Sequence, residues 1–306
     1  MTRLGSSFSW GGGGPPQRLP VFLCALLLGC QQIDLAEEWE LDRLRLLATR
    51  AEPAEPRPGD PVTFTSLVHV PDAAPYSAVW FGCILGGEAG CSFDPALLDG
   101  LEDLASLTPE EQAEVFASLQ EAGLIGLEPG LAPAWVVPAD ALDGLTEAEA
   151  LEGVSATLQI TLTTEADTEL VIRRLPVSRA ATPNSNPDVV SLTIDGAATV
   201  SGDTVTVAAG ATVDLEAAVA ALEDYTYVTT AGVTETRTEE LSWRWYVTGG
   251  ELGGDGFGPP GNEDEGALAS SQGWTAPDAA GSHVLHAVVL DGRGGMGWWS
   301  LAVTVE

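Results

Sequence analysis

Three histidines, four cysteines and 45 carboxylates are the side chains of this sequence that could do chemistry. His283 and His286 lie three apart in a stretch that reads as a strand. Successive side chains of a strand face opposite sides, so these two rings cannot converge on one metal ion. His69 stands alone in a second such stretch. No Gly-x-Ser-x-Gly elbow and no His-Glu-x-x-His pair occurs. Carboxylate pairs abound, but at this density any pair is expected, and no glycosidase dyad can be read from them. All twelve basic residues are arginine, which removes a phosphate-loop lysine, a Schiff-base lysine and a Ser–Lys dyad. A formal charge of −33 argues against nucleic acid, whose binding needs clustered cations. The expectation is a non-enzyme with no organic cofactor.

Two kinds of binding chemistry remain. Asp255-Gly256 and Asn262-Glu263-Asp264-Glu265-Gly266 form an acidic, glycine-rich loop. Oxygen ligands on a flexible turn suit calcium, so Asp255, Asn262 and Asp264 are its candidate ligands, although the spacing is not that of an EF-hand. The linker Asn184-Ser185-Asn186-Pro187 resembles the Asn-rich, calcium-binding junctions of cadherin-like repeats, with Asp188 its own acid. Trp298 and Trp299 are adjacent on a predicted strand, so one must point outward, and Trp274 flanks the same region. An outward indole either stacks on a glycan or a protein partner or lies under a neighbouring domain.

The cysteines divide by position. Cys24 and Cys30 close the run Leu19-Pro-Val-Phe-Leu-Cys-Ala-Leu-Leu-Leu-Gly-Cys30. Its apolar core is about half the length needed to cross a bilayer as a helix. Arg3 and Arg18 precede it and no acid appears before Asp34, the charge order of a secretory leader. Leu27-Leu28-Gly29-Cys30 resembles the lipobox of bacterial lipoproteins, which implies cleavage before Cys30 and a diacylglycerol on its thiol. Gln31 after the cysteine implies export to the outer membrane. Cys83 and Cys91 would then be the remaining pair, and in an exported protein they most simply form a disulfide.

The elements that must position these residues are mostly strands. After a leader (1–29) and an acidic tether (30–40), strands are expected at 41–51, 61–70 and 76–83, the first two separated by a Pro-rich turn at 52–60. A helical insert over about 94–152 follows. Asp94-Pro95 starts one helix with Leu97, Leu98, Leu101 and Leu104 at helical spacing. Thr108-Pro109-Glu110-Glu111 is a capping box for a second helix ending near Gly123, and Thr146-Glu147-Ala148-Glu149 caps a third. Strands resume at 154–164 and 168–177, completing a first domain over 41–180. A linker (181–188) carries two prolines and two asparagines. The second domain, 189–306, shows strands at 189–194, 204–207, 212–220, 241–247, 282–290 and 298–305.

Trp243-Arg244-Trp245-Tyr246-Val247-Thr248-Gly249-Gly250 and Gly281-Ser282-His283-Val284-Leu285-His286-Ala287-Val288-Val289-Leu290-Asp291-Gly292-Arg293-Gly294-Gly295 resemble the aromatic C strand and F–G hairpin of PKD-type and related bacterial Ig-like domains. Thr248-Gly249-Gly250-Glu251 stands where the strict PKD pattern has Gly-Asp-Gly. The expected fold is mainly β: two Ig-like antiparallel sandwiches, the first with a small helical insertion. The expected function is that of a non-catalytic module held at the cell envelope by acylated Cys30, structural, adhesive or ligand-recruiting. The alternative is an accessory subunit contacting another envelope protein.

Overall fold

The computed structural model describes residues 37–84, 107–121, 124–126, 133–228, 233–253 and 268–306. Residues 1–36, comprising the leader, Cys30 and the start of the tether, together with the first insert helix, Cys91 and the loop bearing Asp255, Asn262 and Asp264 lie outside the described residues. Among the described residues no helix is long and apolar enough to cross a membrane.

The first lobe is a two-sheet sandwich. Strands β1 (Arg45–Glu52) and β2 (Pro61–His69) pair antiparallel. β3 (Ser77–Ile84) begins the second sheet. The insert then supplies α1 (Pro109–Glu121), β4 (Leu124–Gly126), β5 (Ala134–Val136) and α2 (Glu147–Glu152). Both capping boxes form. The Thr108 amide donates to Glu111 Oε2 at 2.8 Å and the Thr146 amide to Glu149 Oε2 at 2.8 Å. Among its described residues the insert also carries two short strands. β4 extends β3 and β5 extends β2, so it contributes a short edge strand to each sheet. These three-residue strands are too short to show an alternation of apolar side chains. β6 (Val154–Thr163) and β7 (Thr168–Val177) complete the order β4-β3-β6-β7 opposite β1-β2-β5. Between the sheets lie Val62, Phe64, Trp80, Leu158, Ile160, Leu162 and Leu175, with Phe64 and Trp80 rings 5.3 Å apart.

The second lobe runs β8 (Val189–Ile194), β9 (Ala197–Ala198), β10 (Thr204–Val207), β11 (Thr212–Val219), a hairpin of β12 (Asp224–Val228) and β13 (Thr234–Thr238), β14 (Ser242–Val247), β15 (Glu251–Leu252), β16 (Ala269–Thr275), β17 (Gly281–Leu290) and β18 (Met296–Val305). Its sheets are β10-β18-β17-β14 and β15-β16-β11-β8-β9. The aromatic C strand packs inward as expected, Trp243 and Trp245 being buried against Leu215, Leu285 and Leu301. One pairing departs from the antiparallel expectation: β10 lies parallel to β18. The chain leaves the β8–β9 edge, turns at Ser201-Gly202-Asp203 and switches sheets, so it arrives running in the same direction as the last strand.

The lobes do not hang end to end. The outer faces of β1-β2 and β14-β17-β18 pack together through a third core of Leu41, Leu47, Ala48, Tyr246, Val288 and Met296, flanked by Leu67, Leu290 and Trp298. Among the described residues the two lobes therefore stack four sheets. β1 serves two cores because its register shifts between Leu46 and Ala48. This bulge sends Leu46 into the first sandwich while Leu47 and Ala48 face the second. The segment expected to be a loose tether also crosses the seam. The Leu41 amide donates to Val247 O at 2.9 Å and the Val247 amide to Trp39 O at 3.0 Å. Trp39 belongs to the second lobe's core although it precedes the first lobe in sequence. Trp39→Ala should lower the stability of the whole molecule by about 3 kcal/mol, measured as a shifted urea midpoint with both lobes' tryptophan signals moving together.

Candidate functional site

The seam between the lobes has a polar hub at the linker, and the linker's two asparagines build it. Asn186 is bound to both lobes: its Nδ2 donates to Ala51 O of β1 at 2.7 Å, and its Oδ1 accepts the Met296 amide of β18 at 3.0 Å. Asn184, almost fully buried, donates its backbone amide to Glu55 Oε2 at 2.6 Å and its Nδ2 to Asp291 Oδ2 at 2.7 Å. Asp291 also accepts the Arg293 amide at 2.7 Å and the Gly295 amide at 2.9 Å. Burial nevertheless pushes the Asp291 carboxyl above the usual range, these donors opposing the shift. Arg293 lies 3.6 Å from Glu55 and 3.7 Å from Glu223, with its guanidinium 4.3 Å from the Tyr225 ring centroid. A side chain at Gly295 would put its Cβ 2.2 Å from Asp291 Oδ2 and 2.8 Å from Ser185 O, so only glycine lets linker and hairpin approach.

This hub brings carboxylates to the linker that resembled a calcium junction, but their oxygens are already occupied. Backbone amides, the Ser178 hydroxyl, Asn184 and Arg293 satisfy Glu55, Glu223 and Asp291. Among the described residues no group of three His, Cys, Asp or Glu is arranged to hold a metal ion. The hub is a hydrogen-bonded clamp.

Histidine marks another part of the seam. His286 and His283 face opposite sides of β17. His286 is buried, with Nδ1 2.9 Å from Ser300 Oγ directly across the β17–β18 ladder. Burial, with a smaller contribution from the charge of His69 on β2, lowers its pKa to about 4. His69 is likewise lowered, by burial and by Arg45. Both rings are held neutral at pH 7.

The indoles expected to meet a ligand are positioned otherwise. Trp274 is 1% exposed, a core residue whose Nε1 donates to Gly249 O at 3.0 Å; it has no free face, because β16, unrecognised in the sequence, carries it inward. Trp298 is the outward member of its pair and lies in the seam, with the Arg50 guanidinium 5.3 Å from its ring centroid. Trp299 packs against the second lobe's core. Cys83 sits half-buried on β3, opposite Thr157 of β6. In the sequence Asn184 and Asn186 stand out as a linker resembling a calcium junction and Asp291 and Arg293 as part of a hairpin turn, not as partners of one another. Their hint was the pairing of an Asn-rich linker with an Asp-x-Arg-Gly-Gly turn.

No protein-family model matches the chain, and no curated protein matches it. Among solved structures, the chain is similar to dimeric latent PorU of Porphyromonas gingivalis at 12% identity, covering 87% of this chain and 24% of that one, with a TM-score of 0.23. It is also similar to the N-terminal Ig1-2 module of the Drosophila receptor protein tyrosine phosphatase DLAR at 11% identity, covering 86% and 99%, with a TM-score of 0.24. An Escherichia coli alpha-2-macroglobulin activated by porcine elastase aligns at 16% identity over 88% and 22%, with a TM-score of 0.23. The chain thus spans about a quarter of the length of PorU. The β-sandwich assignment is carried by strand order and register.

Two outcomes follow from the seam's chemistry. Asn186→Ala leaves the Met296 amide and the Ala51 carbonyl without their partner and should cost about 2 kcal/mol in denaturant unfolding. For His286, a folded pKa below the unfolded value means the unfolded chain binds more protons between pH 6.5 and about 4. Its stabilising contribution is complete above pH 6.5 and is lost as pH falls through that window. Buried Asp291 and Glu239 and half-buried Glu169, whose pKa values are raised, act in the opposite sense. Comparison with His286→Gln isolates the histidine: the stability of the parent relative to this variant should fall by about 2 kcal/mol from pH 7 to pH 5. A pH-independent difference would contradict the assignment.

Proposed function

We propose that the protein is a non-catalytic lipoprotein module of the cell envelope, anchored through acylated Cys30 and presenting two fused sandwiches as one rigid body. The observation that carries this reading is Trp39 seated in the second lobe's core. Eight residues separate it from Cys30, at most about 30 Å of extended chain, so an anchor there would hold both lobes near the bilayer. A chain of formal charge −33 over its full sequence, more negative still without the leader's Arg3 and Arg18, gains little from an anionic surface; acyl burial, at about 0.8 kcal/mol per CH₂, would supply the attachment. Cys83 and Cys91 would form a disulfide beneath the insert in an oxidising compartment. Any calcium would bind Asp255, Asn262 and Asp264 on the acidic loop. The exposed loops would carry adhesive or ligand-recruiting contacts.

A second reading, an accessory subunit of an envelope complex, is favoured by one patch. Leu170 and Ile172 on edge strand β7 are 58% and 60% exposed, alternate residues on the outer face of their sheet and a suitable contact for a protein partner. Crosslinking followed by co-purification separates the readings, since an accessory subunit requires a stoichiometric partner. The anchor itself is tested by Cys30→Ser. The variant should move from the membrane fraction to the soluble fraction and lose metabolic labelling by a palmitate analogue; persistence in the membrane with no label on the parent protein would sink the lipoprotein reading.

A further inference from the structure

An exposed sheet edge invites pairing with another strand, and folds blunt such edges by shortening or covering them. Among the described residues the four stacked sheets do so at every edge but one. β4 and β5 are three residues long, β9 and β15 two, and β10 four. β14 is closed by the tether, since the Val247 amide donates to Trp39 O and the Leu41 amide to Val247 O. On β1, the Leu46 amide is taken by Glu169 Oε2 and the outer face lies in the seam. β7 is the exception. It runs for ten residues at the end of the order β4-β3-β6-β7, with no strand beyond it among the described residues.

A proline shows which way the β7 backbone points. Pro176 has no N–H and stands opposite Ser155 of β6, so this pair exchanges no ladder bonds and its backbone groups turn away from β6. The register is unbroken from Pro176 to the turn at 164–167, where the Thr164 amide donates to Asp167 O at 2.8 Å. By the period of two, the amides and carbonyls of Leu170 and Ile172 also point to the free edge. No turn or cap bond reaches them among the described residues. Their side chains are exposed on the outer face, and exposed Arg174 continues that row. Toward Pro176 the edge closes. A Cβ at Gly294 of the second lobe would lie 2.8 Å from Pro176 Cδ and 3.7 Å from Arg174 O. The open stretch is therefore 168–172.

Charge decides what fits this stretch. Glu165 and Asp167 lie in the turn at its start, and Arg174, which has no ion pair among the described residues, lies at its end. A second β7 laid antiparallel sets arginine against acids at both ends, whereas an in-register parallel copy sets like charge against like. We propose that the open edge of β7 pairs antiparallel with β7 of a second copy about a twofold axis at Val171, joining two four-stranded sheets into one. Leu170 of each copy then faces Ile172 of the other as a hydrogen-bonded pair, and Arg174 reaches the second copy's acidic turn. The interface is isologous, so each contact is made twice. It gives to a copy of this chain the patch that the accessory-subunit reading gives to a foreign protein, and it does not depend on acylation of Cys30.

Sedimentation velocity of the full mature chain over a concentration series, in density-matched neutral detergent, tests this pairing. The parent should pass reversibly from monomer to dimer. The mature chain carrying Cys30→Ser should do the same without detergent, which separates strand pairing from association through a micelle. Leu170→Glu and Ile172→Lys, both at exposed positions, should each weaken dimerisation about tenfold or more with the melting transition retained. The double variant Leu170→Glu, Ile172→Lys sets opposite charges across the twofold axis and should recover most of that loss. Recovery is specific to the antiparallel register, because no general loss of stickiness is reversed by adding a second charge. The proposal is overturned by a dimer indifferent to both single substitutions, or by a double variant no stronger than the weaker single one. A monomer at every concentration also overturns it and leaves the edge of β7 to a foreign strand.

Discussion

The fold depends on one strand burying both of its faces. β1 is an edge of its own sheet, yet a single bulge lets consecutive leucines enter different cores: Leu46 joins Phe64 and Trp80, and Leu47 joins Tyr246 and Met296. Burying two leucines and an alanine from one strand contributes several kcal/mol, since a fully buried leucine is worth about 1.5–3 kcal/mol. The rest of the interface follows. Once β1 lies against β14, β17 and β18, the linker must pass over Gly295 and Gly297, where a Cβ would clash with Ser185 O and Pro187 O. The Asn186 side chain then falls between Ala51 and Met296.

This makes the interface unlike a flexible junction between beads. Its centre is apolar and its rim is arginine: Arg45 against Tyr246, Arg50 against Trp298 and Arg293 against Tyr225. Guanidinium–aromatic contacts suit a rim because the planar cation is weakly hydrated and covers ring faces without full desolvation. With no lysine in the chain, every cation at the interface can make such contacts. Trp39, arriving from the N-terminal side, closes the second lobe before the first lobe begins, so the second core is complete only when both ends of the chain are in place.

The alternation of apolar residues made most of the sandwich legible. β6, β7, β8 and β10 begin where their sequences indicate, and the capping boxes at Thr108 and Thr146 start helices. β16 was not legible. Its inward residues are Ser270, Gln272 and Trp274, and Ser270 is buried because Trp245 Nε1 donates to its hydroxyl at 3.1 Å. A polar side chain satisfied across a core cannot be distinguished in a sequence from one facing water. The β12–β13 hairpin was hidden for the opposite reason: described residues of both strands are largely exposed, so no hydrophobic period marks them. The pair Trp298-Trp299 foretold that one indole would face outward, but only the three-dimensional arrangement shows that outward means toward the other lobe.

The central claim is that the two sandwiches form one cooperative body locked through the third core. Differential scanning calorimetry of the full mature chain tests it most directly. A single transition is expected, with calorimetric and van't Hoff enthalpies equal, and Met296→Ala should lower the whole peak without splitting it. Two resolved transitions in the parent protein, only one of them sensitive to Met296→Ala, would show that the lobes unfold independently and that the seam does not hold the molecule together.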